Sequence, residues 1–209
     1  MRSSTRSRRA IPDPIIWPIA DRMTPTDDLR NALGALSEVV GRIRGNGWTM
    51  DTPCESWSVA DVLAHVVVVT RKFTAFAAGH TDSPRARPLK YLDADLPGLL
   101  EHAALDSARA WKDCDLARIC HLPFGTFTAG EAATINSMDV LVHTWDIAIA
   151  TGIPYAMPPQ LLAPAVEMAR RLATAEAVAA KQFGPPVLVE DDGPSEAMLL
   201  GLTGRDPRR

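Results

Sequence analysis

The chain has 209 residues, of which 46% are hydrophobic and 22% charged, with a formal net charge of −3. This length and composition suit one globular domain with a full core. The slightly negative charge gives no basis for a nucleic-acid or anionic-membrane partner. Three cysteines form no CxxC pair, which argues against a disulfide framework or a cysteine zinc site and favours a reducing cytoplasm. No apolar run approaches the ~18 residues of a transmembrane helix.

The first 22 residues differ from the rest of the chain. A basic start is followed by an apolar stretch that Pro12, Pro14 and Pro18 interrupt, so the segment is a poor match for a signal peptide. We expect a disordered leader over 1–22 and a single domain over 23–209, with either Met1 or Met23 as the true start. Removing the leader is expected to change stability little.

Hydrophobic periodicity predicts five helices in the remaining sequence. We expect Thr26 to cap the first helix, and the pairs Ser58/Asp61 and Thr128/Glu131 to form capping boxes for the second and fourth. The five helices are predicted near 26–44, 58–78, 95–112, 129–151 and 160–181.

The sequence also predicts the structure of the segments that connect and follow the helices. Residues 80–94 and 113–127 are expected to be loops, the latter with room for a short extended piece, and a short helix fits Ser195–Leu202. No alternation is long enough to support a sheet. The patterns predict an all-α fold, an antiparallel four-helix bundle with an extra C-terminal helix and an irregular tail.

The fourth predicted helix carries two stripes side by side. A core stripe occurs at spacings of three and four: Ile135, Met138, Val142, Trp145 and Ile149. Beside it runs a polar stripe of Asn136, Asp139, His143 and Asp146. Since Asp139 and His143 stand one turn apart, both can reach a single metal ion at about 2 Å.

A third candidate ligand, His65, borders the core stripe of the second helix. With Asp139 and His143 it makes two histidines and one carboxylate, the donor set of a metal site with open coordination positions. The alternatives are a hydrogen-bonded structural histidine and a helix-surface pair. Asp146 either accepts a hydrogen bond from His143 and so orients it, or is a solvated or capping aspartate.

Other reactive side chains receive no role. His80, His102 and His121 fall in or near polar loops and helix surfaces. Cys54 has no basic neighbour in sequence, and we interpret it as a buried, inert cysteine. The chain contains neither a glycine-rich phosphate loop nor a GxSxG motif.

Three stretches together resemble a known family: TPCESWSVADVLAHVV, MDVLVHTWDIAIATG, and the closing FGPPV with GRDP. They are similar to the DinB-like metal-binding superfamily, in the actinobacterial branch related to mycothiol-dependent maleylpyruvate isomerase, over about residues 24–207. The resemblance implies a four-helix bundle whose metal ligands are His65, Asp139 and His143. That branch has Glu at the position of Asp139, so the resemblance specifies metal binding better than substrate class.

The resemblance also implies a chemistry. A divalent metal, zinc in first place, would hold a low-molecular-weight thiol such as mycothiol, which would attack a small electrophilic substrate. The first hypothesis is a thiol-dependent transferase or isomerase, although the catalytic residues beyond the ligands and the oligomeric state stay open. The alternatives are a non-catalytic metal- or ligand-binding protein and a metal-dependent hydrolase. The hydrolase is weakened because Asp146 is the one candidate for a further general base.

Overall fold

The computed structural model describes residues 23–82, 94–190, 193 and 195–209. The expected leader lies outside these ranges, as does most of the predicted 80–94 loop. The described chain forms a 3₁₀ turn at Gly45–Thr49, two strands, β1 (Ile119–Leu122) and β2 (Gly125–Thr128), and seven helices. The helices are α1 (Pro25–Val40), α2 (Val59–Ala77), α3 (Leu96–Trp111), α4 (Ala129–Thr151), α5 (Pro159–Leu172), α6 (Ala175–Ala179) and α7 (Glu196–Leu202).

The two capping boxes predicted for α2 and α4 are confirmed, whereas the predicted cap of α1 is wrong. Thr24, not Thr26, caps α1, and its hydroxyl accepts the backbone N–H of Asp27 while the Asp27 carboxylate bonds back to Thr24. The earlier start is favoured because Pro25 then occupies the first helical turn, where its missing N–H and fixed φ cost nothing.

The first four helices form a four-helix bundle, which confirms the predicted all-α fold. Helix α4 packs against α1 and α2, and α3 packs against the same two helices on the other side. The start of α4 at Gly130 faces Pro25 at the start of α1, so these helices run parallel. Arg118 bonds the final carbonyls of α2, and its own carbonyl accepts the N–H of Ala129. Helix α2 therefore runs antiparallel to α4, and long connections permit this mixed arrangement.

Two features outside the bundle differ from the prediction. A small antiparallel sheet pairs β1 with β2, from Ile119 opposite Thr128 to Leu122 opposite Gly125. The predicted fifth helix is divided into α5 and α6, because the Thr174 side chain accepts the N–H of Ala177 and starts a new helix.

Within the described ranges, no helix has the length and apolar character that crossing a lipid bilayer requires.

Helix α4 occupies the centre of the fold. It contacts α1, α2, α5 and the hairpin, so its polar stripe is enclosed along with its apolar stripe. Asn136 and Asp146 are fully buried, and His143 is nearly so. Ile149, predicted to be in the core, is instead 39% exposed, since it lies in the last turn of α4.

Two glycine substitutions should change stability in opposite directions. Gly152 ends α4 with a φ of +65°, and a Cβ there would meet open space, so Gly152→Ala should cost about 1 kcal/mol through backbone conformation alone. Gly34 lies exposed within α1, also with free space around it, so Gly34→Ala should stabilise by about 1 kcal/mol. Urea unfolding measures both, and equal effects of the two changes would contradict the assigned cap.

Candidate metal centre

The facing sides of α2 and α4 bring the three predicted ligands together. Oδ1 of Asp139 lies 3.4 Å from Nε2 of His65 and 3.6 Å from Nε2 of His143. The two imidazole ring centres are 4.9 Å apart. One ligand-type atom from each residue falls within 4.8 Å of the others, so the three side chains converge on one small volume.

These distances suit a shared ion better than direct bonding between the side chains. A charge-assisted N–H···O bond is normally about 2.7–2.9 Å long, shorter than either separation here. Ligands at about 2.0–2.1 Å from one tetrahedral zinc ion lie about 3.3–3.4 Å from one another. The observed spacing is close to that edge length, and two nitrogens with one carboxylate are a donor set that zinc favours. The residues present therefore fit the metal that the sequence resemblance implies.

The Nδ1 side of the His143 ring faces a buried carboxylate that is itself paired with an arginine. Its Nδ1 lies 2.9 Å from Oδ2 of Asp146, which is fully buried. Because a carboxylate only accepts, Nδ1 carries a proton that it donates to Asp146, and Nε2 is left as the ring atom that faces Asp139. Arg205 donates two hydrogen bonds to the same carboxylate, 3.2 Å from Nε to Oδ1 and 2.7 Å from Nη2 to Oδ2. Asp146 is thus a partner of His143, and the solvated alternative is wrong.

Both carboxyl groups are held in the ionised form. Burial opposes ionisation of Asp139, but the adjacent His143 and His65 lower its pKa below the usual value. Burial likewise opposes ionisation of Asp146, and the hydrogen bond from His143 with the charge of Arg205 lowers its pKa. Both aspartates are therefore anionic at neutral pH.

A loop ahead of α2 forms one wall of the site. The indole of Trp57 lies 5.0 Å from the His65 ring and 6.2 Å from the His143 ring, nearly parallel to the latter. The loop is closed on itself, because Thr52 donates its N–H and its hydroxyl to the carbonyl of Trp57. Trp57 is therefore held against both imidazoles and covers one side of each ring.

Cys54 lies on the same loop and makes a second group with His143 and Asp146. That group is a poorer candidate because Arg205 and His143 already occupy the Asp146 carboxylate. Burial raises the pKa of Cys54 to about 11, despite Arg205 nearby. The thiol is half-buried and protonated at neutral pH, in line with the inert cysteine expected from the sequence.

Sequence reasoning found the three converging residues and Asp146 but overlooked Trp57 and Arg205. Both belong to stretches already singled out, the Trp-Ser before α2 and the closing GRDP. No pattern indicated that they would reach α4. His80, His102 and His121 are exposed, and none of them joins a potential metal-binding group within the described residues.

Comparison with known proteins identifies a matching family model, described as the mycothiol maleylpyruvate isomerase N-terminal domain, over residues 29–148. Two proteins of Mycobacterium tuberculosis, from strains CDC 1551 and H37Rv and both described as uncharacterized, are each 30% identical over 193 residues. Each alignment covers 88% of this chain and 100% of the relative.

Two crystal structures resemble this fold: a mycothiol-dependent maleylpyruvate isomerase, with a TM-score of 0.55, and its histidine-to-alanine mutant, with 0.54. Both are 14% identical to this chain and cover 80% of it and 75% of their own chains. At this identity the structural likeness supports the fold.

The Arg205–Asp146 pair should contribute strongly to stability. Arg205→Met removes the positive charge and keeps much of the apolar stem, so it leaves a buried carboxylate with His143 as its remaining partner. We expect a loss of about 3 kcal/mol in the unfolding free energy of metal-free protein. Arg208→Met is the matched control, because Arg208 pairs with Asp206 at the surface and should change stability by less than about 1 kcal/mol. Equal losses would show that the buried pair is not important.

Proposed function

The chain belongs to the family of the mycothiol maleylpyruvate isomerase N-terminal domain, and we propose that it is a metal- and thiol-dependent transferase or isomerase. The metal, preferably zinc, would be held by His65, Asp139 and His143. The observation that carries this proposal is the spacing of 3.4 and 3.6 Å from the Asp139 oxygen to the two histidine nitrogens. The domain that carries the function would be 23–209.

A bound zinc ion would lower the pKa of a coordinated thiol and make it a nucleophile near neutral pH. Three protein ligands would leave at least one coordination position for that thiol. From the family we propose mycothiol as the thiol and a small electrophilic molecule as the second substrate. Such a reaction needs a reduced thiol pool, as in the cytoplasm, where we place the protein.

Each residue around the proposed metal site has a role in this proposal. Asp146 keeps the proton on Nδ1 of His143, which fixes the tautomer that offers Nε2 as a ligand. Arg205 keeps Asp146 ionised and in place. Trp57 would limit the access of water to the two imidazoles. Its flat apolar ring would also contact the thiol bound at the open coordination position of the metal.

The engagement of Asp146 also bears on the hydrolase alternative. A metal-dependent hydrolase usually needs a free general base beside the bound water. Asp146 already accepts from His143 and from two nitrogens of Arg205, so its proton affinity is low and its lone pairs are used. This favours the thiol-dependent reaction over hydrolysis.

Loss of one proposed ligand should lower metal affinity steeply. We expect His65→Ala, Asp139→Ala and His143→Ala each to weaken zinc binding by at least about 100-fold, because two remaining ligands do not hold the ion. Competition with a chromophoric chelator measures the affinity. His102→Ala and His121→Ala are the controls, since both residues are exposed and outside the group. A wild-type protein that binds no zinc at micromolar concentration would refute the metal proposal.

A second measurement separates catalysis from simple binding. Metal-loaded protein should shift the pH dependence of mycothiol alkylation by iodoacetamide to lower pH, because the metal stabilises the thiolate. Chelator-treated protein and the His143→Ala variant should leave the free thiol profile unchanged. If the thiol binds without any change in reactivity, the protein is a non-catalytic binding protein and the transferase or isomerase proposal fails.

A further inference from the structure

One buried polar side chain next to the proposed metal site has no evident structural role. Asn136 is fully buried on α4, yet neither its amide oxygen nor its amide nitrogen has a hydrogen-bond partner among the described residues. A buried amide without partners costs about 1–3 kcal/mol relative to a paired one. Packing alone would favour an apolar residue at this position.

A matching unpaired acceptor lies one turn along the same helix. Asp139 turns Oδ1 toward the two histidines, while its other oxygen, Oδ2, is buried and lacks a partner within the described chain. Since Cα–Cβ bonds tilt toward the N-terminus of a helix, the Asp139 side chain leans over the turn that carries Asn136. Residues three apart on a helix have Cβ atoms about 5–6 Å from each other.

The two metal-facing side chains on α4 are therefore supported unequally. Asp146 accepts a hydrogen bond from the far side of the His143 ring, but within the described ranges nothing bonds the second oxygen of Asp139. Carboxylates that bind metals are themselves normally hydrogen-bonded through their second oxygen. Of the unpaired polar groups in the described part of the chain, Asn136 lies within one turn of Asp139 and offers two N–H donors.

We propose that Asn136 is a positioning residue for the metal site, and that its amide N–H donates to Oδ2 of Asp139 when the ion is bound. This inference rests on the proposed metal site. The bond would fix the carboxylate so that Oδ1 alone faces the ion, and it would satisfy two of the three unpaired atoms, Nδ2 of Asn136 and Oδ2 of Asp139. Asn136 thus lowers the stability of the metal-free protein and raises its affinity for metal.

The test uses the full chain with Asn136→Leu, which removes the polar atoms and keeps an apolar side chain. Zinc affinity should fall by about tenfold or more, the usual loss for a second-shell partner. The unfolding midpoint of metal-free protein should stay unchanged or rise, because no buried amide is left unpaired. The absorption bands of the cobalt-substituted protein should also shift, since the carboxylate is free to bind through both oxygens.

Thr70→Val is the matched control. Thr70 is also fully buried, and its hydroxyl also lacks a partner in the described structure, but it lies on α2 more than one turn beyond His65. We expect zinc affinity within about twofold of wild type and an unchanged cobalt spectrum, although removal of an unpaired hydroxyl affects stability in the same way.

A second variant keeps the proposal testable if leucine is too large for the site. Asn136→Ala leaves a cavity and should lower the unfolding midpoint, yet it should lower zinc affinity as much as Asn136→Leu. Zinc affinity within threefold of wild type in a folded Asn136 variant would overturn the role of Asn136 alone. Wild-type protein that binds neither zinc nor cobalt would overturn the metal site itself, and this inference with it.

Discussion

The arrangement around the site depends on neutralising one carboxylate in the interior. Asp146 has no exposed surface, and an isolated charge there would cost several kcal/mol. His143 supplies one hydrogen bond and Arg205 supplies two. Because Arg205 comes from the last residues of the chain, this charge ties the C-terminal tail to the centre of the bundle. The His143 ring and the C-terminal tail are therefore both held by the same carboxylate.

The bundle topology explains why the site lies where it does. Helix α4 is surrounded by α1, α2, α5 and the hairpin, and its side chains are buried almost all round. Polar residues in such a helix must find partners inside the protein. Asp139 and His143 face His65 across the antiparallel contact with α2, while Asp146 faces the tail. Three of the four residues in the polar stripe therefore contact other polar side chains inside the protein, and Asn136 is the exception among the described residues.

The described site is enclosed on two sides by segments without regular structure. Trp57 stands against both imidazoles, and its loop is fixed by bonds from Thr52. Arg205 bonds Asp146 behind the His143 ring, and its Nη2 lies 3.8 Å from Sγ of Cys54 on the Trp57 loop. The electrostatic interactions are strengthened most around the buried Asp146 carboxylate, whereas the His65 and Asp139 side chains stay 31% and 23% exposed. Burial also raises the pKa of Cys54, so its thiol stays protonated at neutral pH.

The sequence by itself determined whatever follows from the periodicity of a single helix. The spacing of Asp139, His143 and Asp146 placed them on one stripe, and the Ser58 and Thr128 capping boxes located two helix starts within one residue. Only the tertiary structure decided which helices are neighbours and in which direction they run. That choice brings His65 to Asp139 across 74 positions and Arg205 to Asp146 across 59. It also buries Asn136 with no hydrogen-bond partner among the described residues, because burial depends on how the helices pack, which no local pattern gives.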